Sequence, residues 1–93
     1  MAGLIDSGLH DYELVRLSCD YTRGEAVLEM NDPVGSPEKL LIGGLLSVEM
    51  SHTQPWGEGS YIASSDITED RDGTKLAEIQ LNSGDEIRIV YKR

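Results

Sequence analysis

Ala77-Glu78-Ile79-Gln80-Leu81-Asn82-Ser83-Gly84-Asp85-Glu86-Ile87-Arg88-Ile89-Val90-Tyr91-Lys92 is the stretch that decides the fold. Ala77, Ile79 and Leu81 alternate with Glu78 and Gln80, and Ile87, Ile89 and Tyr91 alternate with Glu86, Arg88 and Lys92. A period of two puts one set on a buried face and the other in water, as a half-buried strand requires. Between the two runs, Asn82-Ser83-Gly84-Asp85 tolerates left-handed backbone and reads as the turn of a hairpin.

The same grammar extends towards the N-terminus. Over Tyr12 to Cys19, Val15, Leu17 and Cys19 share one phase while Arg16, Ser18 and Asp20 share the other, which predicts a first strand. Asp20-Tyr21-Thr22-Arg23-Gly24 is a turn, and Ala26, Leu28 and Met30 then alternate against Glu25, Val27 and Glu29, closing a first hairpin. Two prolines and a glycine make 31–37 a loop. Leu40 to Met50 is the longest apolar run, with Leu40, Ile42, Gly44, Leu46, Val48 and Met50 in phase. Gly43-Gly44 in its middle would cost a helix about 1 kcal/mol per glycine, so a bent or bulged central strand is expected there. Residues 51–59 are irregular, Tyr61-Ile62 begins a short strand, and 64–73 reads as a polar, acidic loop.

Five or six such strands predict one all-β, mainly antiparallel domain over 1–93, a meander forming a small sandwich or open barrel with little helix. With no phenylalanine and a single tryptophan, the core is aliphatic: Val15, Leu17, Leu28, Ile42, Leu46, Val48, Ile79, Ile87 and Ile89. Ninety-three residues suffice for one hydrophobic core and not for two.

Eight Lys and Arg against seventeen Asp and Glu leave a formal charge of −9. A phosphate-backbone binder needs clustered cations, and only Lys92-Arg93 are adjacent, so nucleic acid is a poor partner, as is an anionic membrane surface. A basic protein is the partner that such a field favours, by speeding its encounter. The lone Cys19 permits no internal disulfide, and no Cys/His spacing suits zinc. Met1 to Asp6 lacks the basic start and apolar run of a signal peptide, and no stretch is long enough to span a bilayer, so a reducing, cytoplasmic location is expected.

Several residues are of the types that carry chemistry. His10-Asp11, with Glu13 close by, is the raw material of acid/base catalysis, but neighbours on an extended strand face opposite ways and no nucleophile accompanies them. Asp66, Glu69, Asp70 and Asp72-Gly73 resemble half of a calcium loop, but the register puts Thr68 at the first ligand position and Ile79 at the last, so a solvated acidic loop is the better reading. Cys19 falls in the apolar phase of its strand and reads as core. Trp56, in a Pro-Trp-Gly turn, either packs over an open end of the core or anchors an interface. No phosphate loop, nucleophile elbow or zinc helix occurs, so neither catalysis nor a cofactor has a foothold.

Leu9-His10-Asp11 before a strand, Pro55-Trp56-Gly57 after a central apolar strand, and Leu81-Asn82-Ser83-Gly84-Asp85 before the last strand together resemble small β-rich immunity proteins of bacterial polymorphic toxin systems. The resemblance implies a noncatalytic protein that binds and blocks a basic toxin domain, often a nuclease. Asp11, Glu13, Asp66, Glu69, Asp70 and Asp72 are then the candidate partner-binding residues, with Trp56 at their edge. The alternative is a structural or assembly subunit pairing through an edge strand, and monomer and homodimer are both open.

Overall fold

The structure is a computed structural model that describes residues 8–53 and 61–92. Among the described residues seven antiparallel strands run in chain order: β1 (Glu13–Asp20), β2 (Glu25–Asn31), β3 (Pro37–Ile42), β4 (Leu45–Met50), β5 (Ile62–Glu69), β6 (Thr74–Leu81) and β7 (Glu86–Lys92). There is almost no helix among the described residues. Two sheets form, one of order β1-β2-β3 and one of order β4-β7-β6-β5. The expected class, all-β and antiparallel, is what the chain adopts.

The two sheets are stitched together on both sides. On one side the Ile62 amide donates to the Tyr12 carbonyl at 2.8 Å and the Asp11 amide to the Ile62 carbonyl at 3.0 Å, tying the start of β5 to that of β1. On the other, β3 bends at Gly43-Gly44 into β4, where the Leu45 amide donates to the Gly24 carbonyl and the Lys92 amide to the Gly44 carbonyl, both at 2.9 Å. The result is a partly open barrel rather than a single meander, because β4 lies beside β7 instead of beside β5.

The apolar run over 40–50 is therefore two strands in two sheets, not one bent central strand. Residues 64–69, expected in an acidic loop, belong to β5, since Ile62, Ser65 and Ile67 face inwards opposite Leu81, Ile79 and Ala77. Pro37, expected in a loop, opens β3, a place open to proline because β3 is an edge strand.

Three bulges explain where the core differs from expectation. In β1 the register passes from Leu14↔Met30 to Arg16↔Glu29 and skips Val15. In β4 it passes from Leu45↔Tyr91 to Ser47↔Val90 and skips Leu46. In β5 it skips Ala63. An extra residue reverses the in-out phase, so the inward positions become Leu14 with Leu17, and Leu45 with Val48, while Val15 is left 59% exposed and Leu46 60%. Cys19 keeps the inward phase opposite Ala26 but is exposed near the end of β1, so it is not core.

Leu28, Ile42, Ile79, Ile87 and Ile89 are buried as expected, and Leu17 and Val48 pack against them half-buried. Leu9, Ala26, Met30, Leu40, Ile62, Ala77 and Tyr91 complete the core. Ser65 is also buried there, and its hydroxyl has no hydrogen-bond partner among the described residues. A buried orphan hydroxyl costs on the order of 1 kcal/mol or more, so Ser65→Ala is expected to raise the free energy of unfolding by about that amount, seen as a higher midpoint of chemical denaturation. A lowered midpoint would show that the hydroxyl is satisfied in solution.

Candidate acidic binding face

Because the inward residues of β6 and β7 are fixed by the core, their outward partners must share one surface. Across the four-stranded sheet the register sets Asp66 opposite Glu78, Glu78 opposite Arg88, and Arg88 opposite Glu49. Glu86 stands on the same face, two residues before Arg88 on β7. The Arg88 Nε lies 3.5 Å from Glu78 Oε2. Asp66, Glu49 and Glu86 have no ion-pair partner among the described residues. Like charges set directly opposite one another, as Asp66 and Glu78 are, oppose folding. The outer face of the three-stranded sheet is more balanced, with Glu29 opposite both Arg16 and Lys39. Asp66, Glu78, Glu86 and Glu49 against Arg88 and Lys92 leave the four-stranded face moderately acidic, while Asp20, Glu25 and Glu29 against Arg16 and Lys39 leave the three-stranded face slightly so.

The candidate residues read from sequence do not form one cluster. Asp11 and Glu13 sit by the start of β5, and Glu69, Asp70 and Asp72 at its far end, about 23 Å away at 3.3 Å per residue. Glu13 accepts from the Asn31 amide nitrogen at 3.2 Å. Asp70 and Asp72 shape the β5–β6 turn: Asp70 Oδ1 accepts from the Asp72 and Thr74 amides at 3.1 Å, and Asp72 Oδ1 from the Thr74 amide at 3.0 Å. The hydrogen bond with the Asp70 side chain, then those from Thr74, hold Asp72 well below the usual carboxylate range, and the Lys92 ammonium 3.9 Å away adds to this. Only Asp66 of the expected set lies in the cross-sheet row. Trp56 lies outside the described residues. Glu49, Glu78 and Glu86 were missed because their common face depends on strand order, which alternation cannot supply.

His10 and Asp11 do meet, contrary to the expectation from extended backbone. Asp11 takes a left-handed conformation, φ 70°, which turns its carboxylate back to His10, Oδ2 to Nδ1 at 3.2 Å. Both side chains are largely exposed. Among the described residues, no group of three His, Cys, Asp or Glu side chains is placed to hold a metal ion, and no helix is long and apolar enough to cross a membrane.

One carboxylate is of a different kind. Asp85, 3% exposed, ends the Asn82-to-Asp85 turn and accepts at Oδ1 from the Thr53 amide and hydroxyl, each at 2.8 Å, and from the Ser51 hydroxyl at 3.1 Å. Its Oδ2 accepts from the Ser83 hydroxyl at 2.8 Å. The Thr53 amide, with the hydroxyls of Thr53, Ser83 and Ser51, holds Asp85 well below the usual range although burial pushes it up. This is a structural staple between the end of β4 and the β6–β7 turn.

Comparison with family models, curated proteins and solved structures gives no match.

Proposed function

We propose that this chain is a noncatalytic, cytoplasmic binding domain of the immunity type, and that the outer face of its four-stranded sheet docks and blocks a basic protein such as a toxin or nuclease domain. The observation that carries this reading is the row Asp66, Glu78, Arg88, Glu49, with Glu86 beside it. It places like charges opposite one another at a cost to stability, and a basic partner relieves that repulsion on docking.

The edge strands bear on the assembly alternative. β1, β4 and β5 each carry a bulge, and β3 starts with Pro37 followed by Glu38 and Lys39. Such features disfavour strand-to-strand pairing with a second copy. A monomer by light scattering is the expected result, and a stable homo-oligomer would favour assembly.

The direct test is binding kinetics with a purified basic toxin or nuclease domain. Asp66→Lys with Glu49→Lys is expected to lower the on-rate about tenfold or more at low ionic strength, with a smaller effect at high salt. Glu25→Lys, on the three-stranded sheet, should change it little. Equal kinetics for all variants would refute docking through this face.

A further inference from the structure

The outward residues of β6 and β7 are polar except at two positions. Thr74, Glu78 and Gln80 on β6 and Glu86, Arg88 and Lys92 on β7 face water, and Leu76 and Val90 share that face with them. Both are half-buried, and among the described residues neither belongs to the core cluster or packs against it. The register sets Leu76 directly opposite Val90, with Thr68 beyond the one and Ser47 beyond the other. Thr68, Thr74, Leu76 and Val90 border a shallow depression of about 280 Å³. Two residues along the strands, about 7 Å away, runs the row Asp66, Glu78, Arg88, Glu49, in which Asp66 and Glu49 have no ion-pair partner among the described residues. On the opposite side of the apolar pair stands Lys92, its ammonium 3.9 Å from Asp72.

We infer that Leu76 and Val90 seat an apolar side chain of the basic partner, flanked by Lys or Arg on one side only, the side that meets Asp66, Glu78 and Glu49. The inference rests on the reading that this face docks a basic protein, and it adds a second requirement to that partner's chemistry. Charge complementarity fixes the orientation. Cations on the acidic side find unpaired carboxylates, whereas cations on the other side meet an ammonium that already has its acid. The spacing asks for an apolar residue and a cation on one face about 6–7 Å apart, as i and i+4 of a helix or i and i+2 of a strand supply. The two features act on different steps: the charges speed encounter, and covering the leucine and valine slows release.

Amide chemical-shift mapping on the full chain tests this with two blocked peptides of equal length and charge. One places leucines and lysines on adjacent stripes of a helix, and the other has serine at every leucine. The leucine peptide is expected to give saturable shifts around Ser47, Asp66, Thr68, Leu76, Glu78 and Val90, and to bind at least about fivefold more tightly than the serine peptide. Leu76→Thr/Val90→Thr should remove that advantage and leave the serine peptide unchanged, while the remaining amides report an intact fold. Val90→Thr alone, close in shape, carries the test if the double variant unfolds. Asp66→Asn/Glu49→Gln should weaken both peptides. Equal binding of the two peptides, a leucine advantage that survives the threonine variants, or shifts centred on the exposed Val15, Leu41 and Leu46 would each overturn the assignment. So would a fall in Tm with unchanged affinities, which would mean that the pair serves only to hold β6 to β7. With the toxin domain, charge variants read the on-rate and threonine variants the off-rate, so failure of the docking reading and failure of this seat are told apart.

Discussion

Gly44→Ala is expected to lower the stability of this domain by at least about 3 kcal/mol, seen as a fall in Tm of roughly 12–24 °C for a domain of this size. Two effects add. Gly44 has φ +67°, a left-handed backbone that costs an L-residue about 1–2 kcal/mol. A Cβ there would also overlap the Lys92 carbonyl oxygen, which is backbone and cannot swing away. The Lys92 amide donates to the Gly44 carbonyl at 2.9 Å, so moving β7 to make room would break the bond that fixes the corner. The neighbouring positions separate the terms. Gly43→Ala meets nothing within 4 Å and has no left-handed strain, so it should be nearly neutral, while Gly24→Ala, φ +64° with open space around it, should show the backbone cost alone. A mild Gly44→Ala would mean that the chain does not turn from one sheet to the other at this residue.

Asp85→Asn is the second large effect, with an expected fall in Tm on the order of 10 °C at pH 7. Among the described residues the carboxylate is served by one amide and three hydroxyls and by no cation, so its stabilisation comes from hydrogen bonds made to an ionised group in a largely buried site. Replacing one oxygen by an NH₂ points a donor at donors. The sign of the pH dependence follows from the direction of the shift. Asp85 is depressed in the folded state, so its contribution is complete above the ordinary carboxylate range, near pH 4–5, and is lost as pH falls towards the folded value. Denaturation midpoints of wild type and Asp85→Asn should therefore converge between about pH 4 and pH 2. A gap that stays constant across that window would show that the variant acts through shape and not through charge.

Much of the fold is legible in the residues. Alternation over 77–92 and 25–30, the turns at 20–24 and 82–85, and the inward positions Leu28, Ile79, Ile87 and Ile89 follow from side chains that alternate across a strand and from residues that tolerate left-handed backbone. The net charge of −9 likewise belongs to the sequence. What it leaves open is every feature that depends on a partner strand. Val15 and Leu46 look like core until a bulge, visible only in the pairing register, turns them out. Polar Ser64 to Glu69 is a strand because Ile79 and Ala77 on β6 bury its alternate residues. Gly44 looks like a weak point in an apolar run, yet it is the corner at which the chain passes between sheets. Asp70 and Asp72, close together in sequence, are occupied with a turn, while Glu49, Asp66, Glu78 and Glu86 share a face because β4, β5, β6 and β7 lie side by side. Local chemistry determined that this chain makes strands and hairpins with an acidic surplus. Strand order and register, set by closing one core between two sheets, decided which of those acids share a face.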